Sequence, residues 1–402
     1  MTTNTSSFLR PDGNLKSIGE FMAENYPGFN PALSLSPGSV EVLKDMAALF
    51  DVSKNWVPYG RYGGDPISNA VAELYTHRMG ARQFSYAGRL TNSGMASITI
   101  ALLALRDLGK PLHIVASTPL YGLTPDTLRR FADKCEVTEV ADGNIDQMVD
   151  ALKKGSSSST KVLFVETIGN GVPMPTVDLR ELFTQLWDEE VYVVVDNTFA
   201  TPHLTNPFGI MRDILEELQE IPRCMPVYVE SLSKYFRCRT SEAPGDHATA
   251  GYVAMPVHLV EKMDFWLDRS FTIQWPALRE FPVDLYEASK VTLGLSAVTH
   301  YAAWLLRRSD VIIEVYYPDD KDLFPKGAGG VFYIKLDTED PDYPDSVFDG
   351  VFEEVGSFGH DHTTIINFGR YGAPVGTVRI AVGVNETQQS ITALLRQCFP
   401  SI

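Results

Sequence analysis

Two potentially reactive side chains follow apolar segments of the sequence. Asp196 comes directly after Val191–Val195, and Lys234 stands shortly after Val227–Glu230. Ligands bind at the carboxyl ends of the strands in an open α/β sheet, so we expect both residues at one edge. A buried carboxylate there needs a cationic partner, although such an Asp can also cap a turn. A desolvated Lys is the residue type that forms Schiff bases, although a strand-end Lys is usually a solvated charge.

Two further segments could complete a ligand site around these residues. Ser93-Gly94-Met95 opens a long apolar stretch, and the free N–H groups at a helix start can cradle a phosphate. The same serine is also an ordinary helix cap. Tyr121 follows another apolar segment and could stack on a planar ring or belong to the core. A phosphate cradle, a stacking ring, a carboxylate and a Schiff-base lysine together fit pyridoxal 5′-phosphate (PLP).

The elements that must position these residues alternate along residues 59–255. The predicted strands are Leu112–Ala116, Glu136–Val140, Val162–Glu166, Val191–Val195 and Val227–Glu230. The predicted helices are Ile67–Met79, Gly94–Leu108, Thr124–Lys134, Ile145–Leu152 and Leu179–Trp187. This alternation predicts an α/β domain with a mostly parallel sheet, and the continuously apolar strands predict helices on both of its faces.

Flanking segments differ from this domain in pattern. Residues 1–58 are rich in Pro and Gly and are interpreted as an extended N-terminal arm. Residues 256–402 are predicted to form a smaller C-terminal α+β domain. Its predicted helices are Asp284–Arg307, Ser346–Glu354 and Glu386–Cys398, and its predicted strands are Val311–Tyr317, Gly330–Lys335, Thr363–Asn367 and Val378–Val382.

Composition excludes several functions for the chain. Its 402 residues hold 34 Lys and Arg against 51 Asp and Glu, a net charge of −17. This balance argues against nucleic-acid binding and against docking on anionic membranes. The four cysteines have no metal-binding spacing, so we predict no metal site and a reducing compartment. The first residues lack an apolar core typical of a secretory signal, which favours a cytoplasmic location.

Several motifs resemble the Cys/Met-metabolism PLP-dependent enzymes, the cystathionine γ-synthase/γ-lyase family of fold type I. The most specific pair is Asp196-Asn197-Thr198-Phe199-Ala200-Thr201-Pro202 with Ser231-Leu232-Ser233-Lys234-Tyr235. The other matching segments are Tyr59-Gly60-Arg61, Ser93-Gly94-Met95-Ala96, Tyr121-Gly122-Leu123-Thr124, Glu166 with Asn170, and Val378-Arg379-Ile380-Ala381-Val382-Gly383. The likeness runs from about Tyr59 to the C-terminus.

This resemblance implies roles for individual residues. Lys234 would hold PLP as a Schiff base and shuttle protons, Asp196 would pair with the pyridinium nitrogen, and Tyr121 would stack on the ring and assist catalysis. The remaining cofactor contacts would come from Tyr59, Arg61, Ser93, Gly94, Met95, Asn170, Thr198, Ser231 and Ser233. Asn170 would contact the ring 3′-oxygen, whereas most of the others would bind the phosphate. Arg379 would clamp the substrate α-carboxylate, with Ser357 beside it.

The resemblance also implies an assembly. Tyr59 and Arg61 would reach the phosphate in the neighbouring subunit, so active sites would be shared in a homotetramer built as a dimer of dimers. Two segments depart from the family pattern: an acidic helix expected around Ile210–Pro222, and an insertion at 236–244 directly after the lysine segment. His360 and His362 are also unexpected. A substrate contact or proton relay is a better interpretation of this pair than a metal site.

The expected reaction is a PLP-dependent γ-elimination on an L-amino acid with a γ-leaving group, with deprotonation at Cα and then at Cβ. One branch of the family, represented by propargylglycine synthase, expels halide in this way. Alternatives are γ-replacement, as in O-acetylhomoserine or cystathionine γ-synthases, an aminotransferase, or a non-catalytic relative of the fold. The intact lysine, aspartate and phosphate-binding residues weigh against the last of these.

Overall fold

A computed structural model describes residues 66–131, 137–235, 249–271, 273, 275–318, 320 and 322–402. The predicted arm at 1–58, the residues Tyr59 and Arg61, and the insertion at 236–244 lie outside the described residues. None of the helices in the described part of the chain combines the length and the apolar character that crossing a bilayer requires.

The larger sheet has seven strands in the order β1-β7-β6-β5-β4-β2-β3. They are β1 (Tyr86–Thr91), β2 (Leu112–Thr118), β3 (Val137–Ala141), β4 (Thr160–Glu166), β5 (Val191–Asp196), β6 (Cys224–Ser231) and β7 (Gly251–Pro256). The strands β2 to β6 pair in parallel, and only β7 runs antiparallel to both of its neighbours. The mostly parallel sheet that the sequence predicts is confirmed.

Helices cover both faces of this sheet. They are α1 (Pro66–Arg78), α2 (Gly94–Arg106), α3 (Thr124–Phe131), α4 (Ile145–Lys154), α5 (Leu179–Leu186), α6 (Thr201–Leu204), α7 (Pro207–Leu218) and α8 (Val260–Trp266). In β5, Val194 packs in the cluster that includes Ile98 of α2, whereas Val193 and Val195 pack in the cluster that includes Leu182 of α5. Burial on both faces explains why this strand is apolar at successive positions.

A second sheet has five strands in the order β10-β11-β12-β9-β8. They are β8 (Ile312–Tyr316), β9 (Val331–Leu336), β10 (Glu353–Glu354), β11 (Thr364–Asn367) and β12 (Thr377–Ala381). All neighbours pair antiparallel except β10 and β11. The helices of this region are α9 (Trp275–Leu306), α10 (Tyr343–Phe348) and α11 (Gln388–Cys398).

The structure differs from the sequence predictions in three places. The sequence predicts no strand at β1 or β7. Gly88 and Arg89 interrupt the apolar pattern of β1, and β7 breaks the strand–helix alternation. The predicted helix Ser346–Glu354 is wrong, because α10 ends at Phe348 and Gly350 has a φ of 70°. The helix α9 starts at Trp275 rather than Asp284, since it continues through Pro282, where a proline normally favours a break.

The acidic helix expected around Ile210–Pro222 is confirmed as α7. The three domain boundaries stay predictions.

Candidate active site

The carboxyl ends of three adjacent parallel strands form the centre of the site. Glu166 at the end of β4 lies in register with Asp196 at the end of β5, and Asp196 lies in register with Val229 of β6. Lys234 follows the end of β6 within one short turn. The strand register therefore brings the aspartate and the lysine to the same edge, as expected from the sequence.

Asp196 is held by the segment that follows it. Its Oδ1 accepts hydrogen bonds from the Thr198 backbone N–H at 3.0 Å and from the Thr198 hydroxyl at 2.6 Å. No described residue donates to its Oδ2. Burial raises the pKa of Asp196, while the bonds from Thr198 and the charge of Lys234 lower it. The fixed Oδ1 leaves Oδ2 available to a donor such as a protonated ring nitrogen.

Lys234 is a largely desolvated amine. Its Nζ donates to the Ser357 hydroxyl at 2.6 Å and lies 4.8 Å from the centroid of the Phe358 ring. Burial and the nearby Arg379 guanidinium lower the pKa of Lys234 to about 8, against a smaller opposing effect of Asp196. A lysine with this pKa has a substantial neutral fraction near neutrality, which nucleophilic attack on an aldehyde requires.

Glu166 has a structural role that the sequence analysis did not assign. Its Oε1 accepts from the Tyr121 backbone N–H at 2.6 Å, and its Oε2 accepts from the Asn170 backbone N–H at 3.0 Å. Burial and the neighbouring Asp196 raise the pKa of Glu166 well above its ordinary value. One buried carboxyl group thus fixes the two loops that carry the predicted stacking tyrosine and the predicted ring-contacting asparagine.

The start of α2 approaches the end of β6 closely. A Cβ added at Gly94 would lie 2.6 Å from the Ser231 Cβ, so only glycine fits at this position. The Ser93 hydroxyl caps α2 by accepting from the Ala96 N–H at 3.1 Å. The first N–H groups of a helix have no acceptor within it. The Ser231 N–H is already bound by the Thr198 hydroxyl at 2.9 Å.

Two of the predicted phosphate-binding residues have other contacts in the structure. The Ser233 hydroxyl donates to the Ala250 carbonyl and accepts from the Ala250 N–H, both at 3.0 Å. It thereby ties the end of the Lys234 segment to the residue that precedes β7. The side chain of Met95 packs against the core cluster of α2, which leaves its backbone N–H as its possible phosphate contact. Both assignments stay predictions.

The second sheet supplies the predicted substrate clamp. Arg379 in β12 is 4% exposed, and its Nη2 donates to the carbonyls of Gly356 at 2.9 Å and Ser357 at 3.2 Å. Its Nε has no hydrogen-bond partner among the described residues. Tyr121, the predicted stacking residue, is 39% exposed. A buried guanidinium with a free donor fits a carboxylate ligand.

His360 and His362 lie close together in the segment before β11. Their ring centroids lie 6.2 Å apart, and the His362 Nε2 lies 2.9 Å from a Glu353 carboxylate oxygen. Among the described residues, no group of three or more His, Cys, Asp or Glu side chains could hold a metal ion.

The residues at this edge fit PLP. The glycine at position 94 leaves room where the α2 start meets β6, and its N–H lies at a helix start suited to phosphate. The Oδ2 of Asp196 is available to a ring nitrogen, and Lys234 provides the amine for a Schiff base. The Nε of Arg379 is an orphaned buried donor for a carboxylate.

Comparisons with known proteins agree with this fit. The family model for the Cys/Met metabolism PLP-dependent enzymes matches residues 41–217. The chain is 32% identical to L-methionine gamma-lyase of Fusobacterium nucleatum subsp. polymorphum over 154 residues, which are 37% of this chain and 37% of that enzyme. It is 28% identical to methionine gamma-lyase of Arabidopsis thaliana over 285 residues, which are 66% of this chain and 58% of the relative.

The fold is also that of a solved structure. Cystathionine gamma synthase from Xanthomonas oryzae pv. oryzae in complex with cystathionine has a TM-score of 0.69 to this chain at 20% identity. The superposition covers 86% of this chain and 88% of that chain. The chain is thus similar to the Cys/Met metabolism PLP-dependent enzymes over the matched residues, and it spans less than two thirds of the length of the two methionine gamma-lyase relatives.

Proposed function

We propose that this protein catalyses a PLP-dependent γ-elimination on an L-amino acid that carries a leaving group on Cγ. The observation that carries the proposal is the desolvated Lys234, whose pKa is lowered to about 8 beside Asp196 and Arg379. The aligned relatives named methionine gamma-lyase support elimination as the reaction type. Elimination would expel the leaving group from Cγ, and hydrolysis of the remaining unsaturated amine would release ammonia and a 2-oxo acid.

Bound PLP would supply an electron sink for the carbanion that forms when an amino acid loses its Cα proton. Asp196 would keep the ring nitrogen protonated through its free Oδ2. The start of α2 and the end of β6 would bind the phosphate through N–H and hydroxyl donors. Tyr121, held by its backbone bond to Glu166, would cover the ring.

Arg379 and Lys234 would act on the substrate. Arg379 would bind the α-carboxylate through its buried guanidinium, which the Gly356 and Ser357 carbonyls already orient. Lys234 would accept the Cα proton through its neutral Nζ, and the Ser357 hydroxyl would hold that amine near the carboxylate clamp. A base with a pKa near the working pH is the most effective proton carrier.

A visible absorption spectrum tests the cofactor assignment. Purified protein reconstituted with PLP should absorb in the visible range, and Lys234→Ala should lose that band after dialysis. Lys154→Ala is the matched control, because Lys154 is exposed at the end of α4. A protein that stays colourless with added PLP would overturn the proposal.

A substrate panel tests the reaction type. The panel contains methionine, cystathionine, O-acetylhomoserine and a γ-chlorinated amino acid, each with and without an added thiol. We expect a 2-oxo acid and ammonia in equal amounts without the thiol, and at least a 10³-fold lower rate in Lys234→Ala. A new thioether amino acid in place of the 2-oxo acid would instead identify γ-replacement.

A further inference from the structure

We propose that Tyr333 is a positioning residue that fixes the orientation of the Asn170 side-chain amide. Its hydrogen bond to Asn170 makes that amide present its two N–H donors, rather than its carbonyl oxygen, to the ligand. This inference rests on the proposed function, since it concerns the same site. Neither the motifs nor the spacing of the sequence pointed to Tyr333.

The geometry places Tyr333 between the two halves of the site. Tyr333 is fully buried in β9, directly opposite Arg379 of β12 in the antiparallel register. Its hydroxyl donates to the Asn170 Oδ1 at 2.9 Å. The Phe368 ring contacts Tyr333 edge-on at 5.1 Å and lies 5.5 Å from the Arg379 guanidinium carbon. Directly opposed residues on one sheet face have neighbouring Cβ atoms, so the phenol and the guanidinium share one buried space.

The chemistry of the neighbouring groups decides where the Tyr333 hydroxyl can donate. The Arg379 guanidinium opposite it has only donors, so it cannot accept the phenolic proton. The single phenolic proton is then available for Asn170, whose Oδ1 must accept it. Burial raises the pKa of Tyr333, so the phenol retains this proton.

This orientation decides what the Nδ2 group of Asn170 can bind. No described residue accepts a hydrogen bond from its Nδ2, and the side chain is only partly buried. The backbone of Asn170 is fixed separately by Glu166, which is in register with Asp196. With Oδ1 held by Tyr333, the amide offers donors alone, which suits an anionic or carbonyl oxygen on the cofactor ring or the substrate.

Tyr333→Phe removes only the hydroxyl and keeps the buried ring. Tyr317→Phe is the matched control, since the Tyr317 hydroxyl is also buried in the second-sheet core, where it contacts Ser296 and Gly329. For each PLP-loaded variant, the melting temperature, the pH midpoint of the visible spectrum, kcat and KM are measured.

For Tyr333→Phe we expect an upward shift of the spectral midpoint on the order of half to one pH unit, because a lost donor disfavours the more anionic form. We also expect a three- to tenfold rise in KM, roughly the effect of losing the one neutral hydrogen bond that orients Asn170. Tyr317→Phe should change the melting temperature only.

A second background separates positioning from general loosening of the core. In an Asn170→Ala protein, adding Tyr333→Phe should not shift the spectral midpoint further, because the two residues act through one contact. An equal shift in both backgrounds, or a midpoint and KM in Tyr333→Phe that match those of Tyr317→Phe, would overturn the role of Tyr333. A wild-type protein without bound PLP would instead overturn the proposed function itself, and with it this inference.

Discussion

Lys234 illustrates how a single side chain acquires its chemistry from its surroundings. An exposed lysine is almost fully charged near neutrality. Here burial and the Arg379 guanidinium favour the neutral amine, while Asp196 favours the charged one, and the pKa falls to about 8. Desolvation of Lys234 outweighs the attraction of Asp196, whose carboxylate is itself bound by Thr198 and whose pKa is raised by burial.

This balance predicts the pH dependence of Lys234 in the protein without PLP. The neutral amine is the reactive form, so labelling of Lys234 by an amine-directed reagent should rise as the pH passes through about 8. Peptide mass spectrometry can follow the labelling. The exposed Lys154 in the same digest is the internal control, because its labelling shows how the reactivity of the reagent changes with pH. Labelling of Lys234 that begins to rise only near the ordinary lysine pKa of about 10.4 would contradict the described burial.

At the scale of elements, the site depends on how closely the start of α2 approaches the end of β6 and the start of β7. A Cβ added at Gly94 would lie 2.6 Å from the Ser231 Cβ, and one added at Gly251 would lie 2.3 Å from the Ser93 carbonyl oxygen. Both glycines therefore allow backbone to approach backbone beside the lysine segment. In the proposed function, this close approach is what lets the N–H groups at the start of α2 reach the phosphate.

Gly94→Ala should therefore weaken PLP binding at least tenfold and lower the melting temperature, since overpacking of a tight contact costs about 1–3 kcal/mol. Gly294→Ala is the matched control. Gly294 lies exposed in α9 with no atom within 4 Å of the added Cβ, so alanine there should stabilise the helix by about 0.5–1 kcal/mol. Thermal melts and PLP titrations measure the melting temperature and the PLP affinity of both variants. Equal values for Gly94→Ala and Gly294→Ala would contradict the close approach of α2 to β6.

Local sequence patterns predicted the elements that carry the central motifs. The strands β4, β5 and β6 are apolar and end in polar residues, so the positions of Asp196 and Lys234 followed from pattern and the strand-end rule. Tyr333 could not be found this way, because it looks like an ordinary core residue of β9. Its importance comes from the register with Arg379 and from a loop contact with Asn170, and both are long-range contacts that no local pattern encodes.

At the scale of the whole molecule, the two sheets meet at Lys234. The segment Ser357–Gly359 of the C-terminal region supplies the hydroxyl and the aromatic ring that contact the lysine amine. A Cβ added at Gly359, where φ is 86°, would overlap the Lys234 carbonyl oxygen. Phe358 stacks on Phe199 at 4.9 Å, so the second sheet also packs on the segment after Asp196. The proposed substrate clamp, Arg379, and the proposed cofactor residues are thereby held in one fixed relation.

The remaining part of the site is expected from another subunit. Tyr59 and Arg61, which lie outside the described residues, should complete the phosphate site of a neighbour within a homotetramer. Mixing Lys234→Ala with Arg61→Ala subunits tests this arrangement. Each variant alone should be nearly inactive. Half of the dimers formed at random contain one subunit of each variant. In each of these mixed dimers, one of the two sites combines an intact Lys234 with an intact Arg61 from the other subunit. About one quarter of the wild-type activity should therefore return.

The same mixture without recovery would mean that each chain completes its own site, because every subunit in it carries one defect. Light scattering gives an independent test by measuring the molar mass in solution. The mass of a single chain would contradict the shared site, because Arg61 would then have no neighbouring subunit whose phosphate it could bind. Recovery of activity by a dimer rather than a tetramer would retain the shared site and reject only the larger assembly. A dimer with shared active sites is thus the smallest assembly that the expected roles of Tyr59 and Arg61 require.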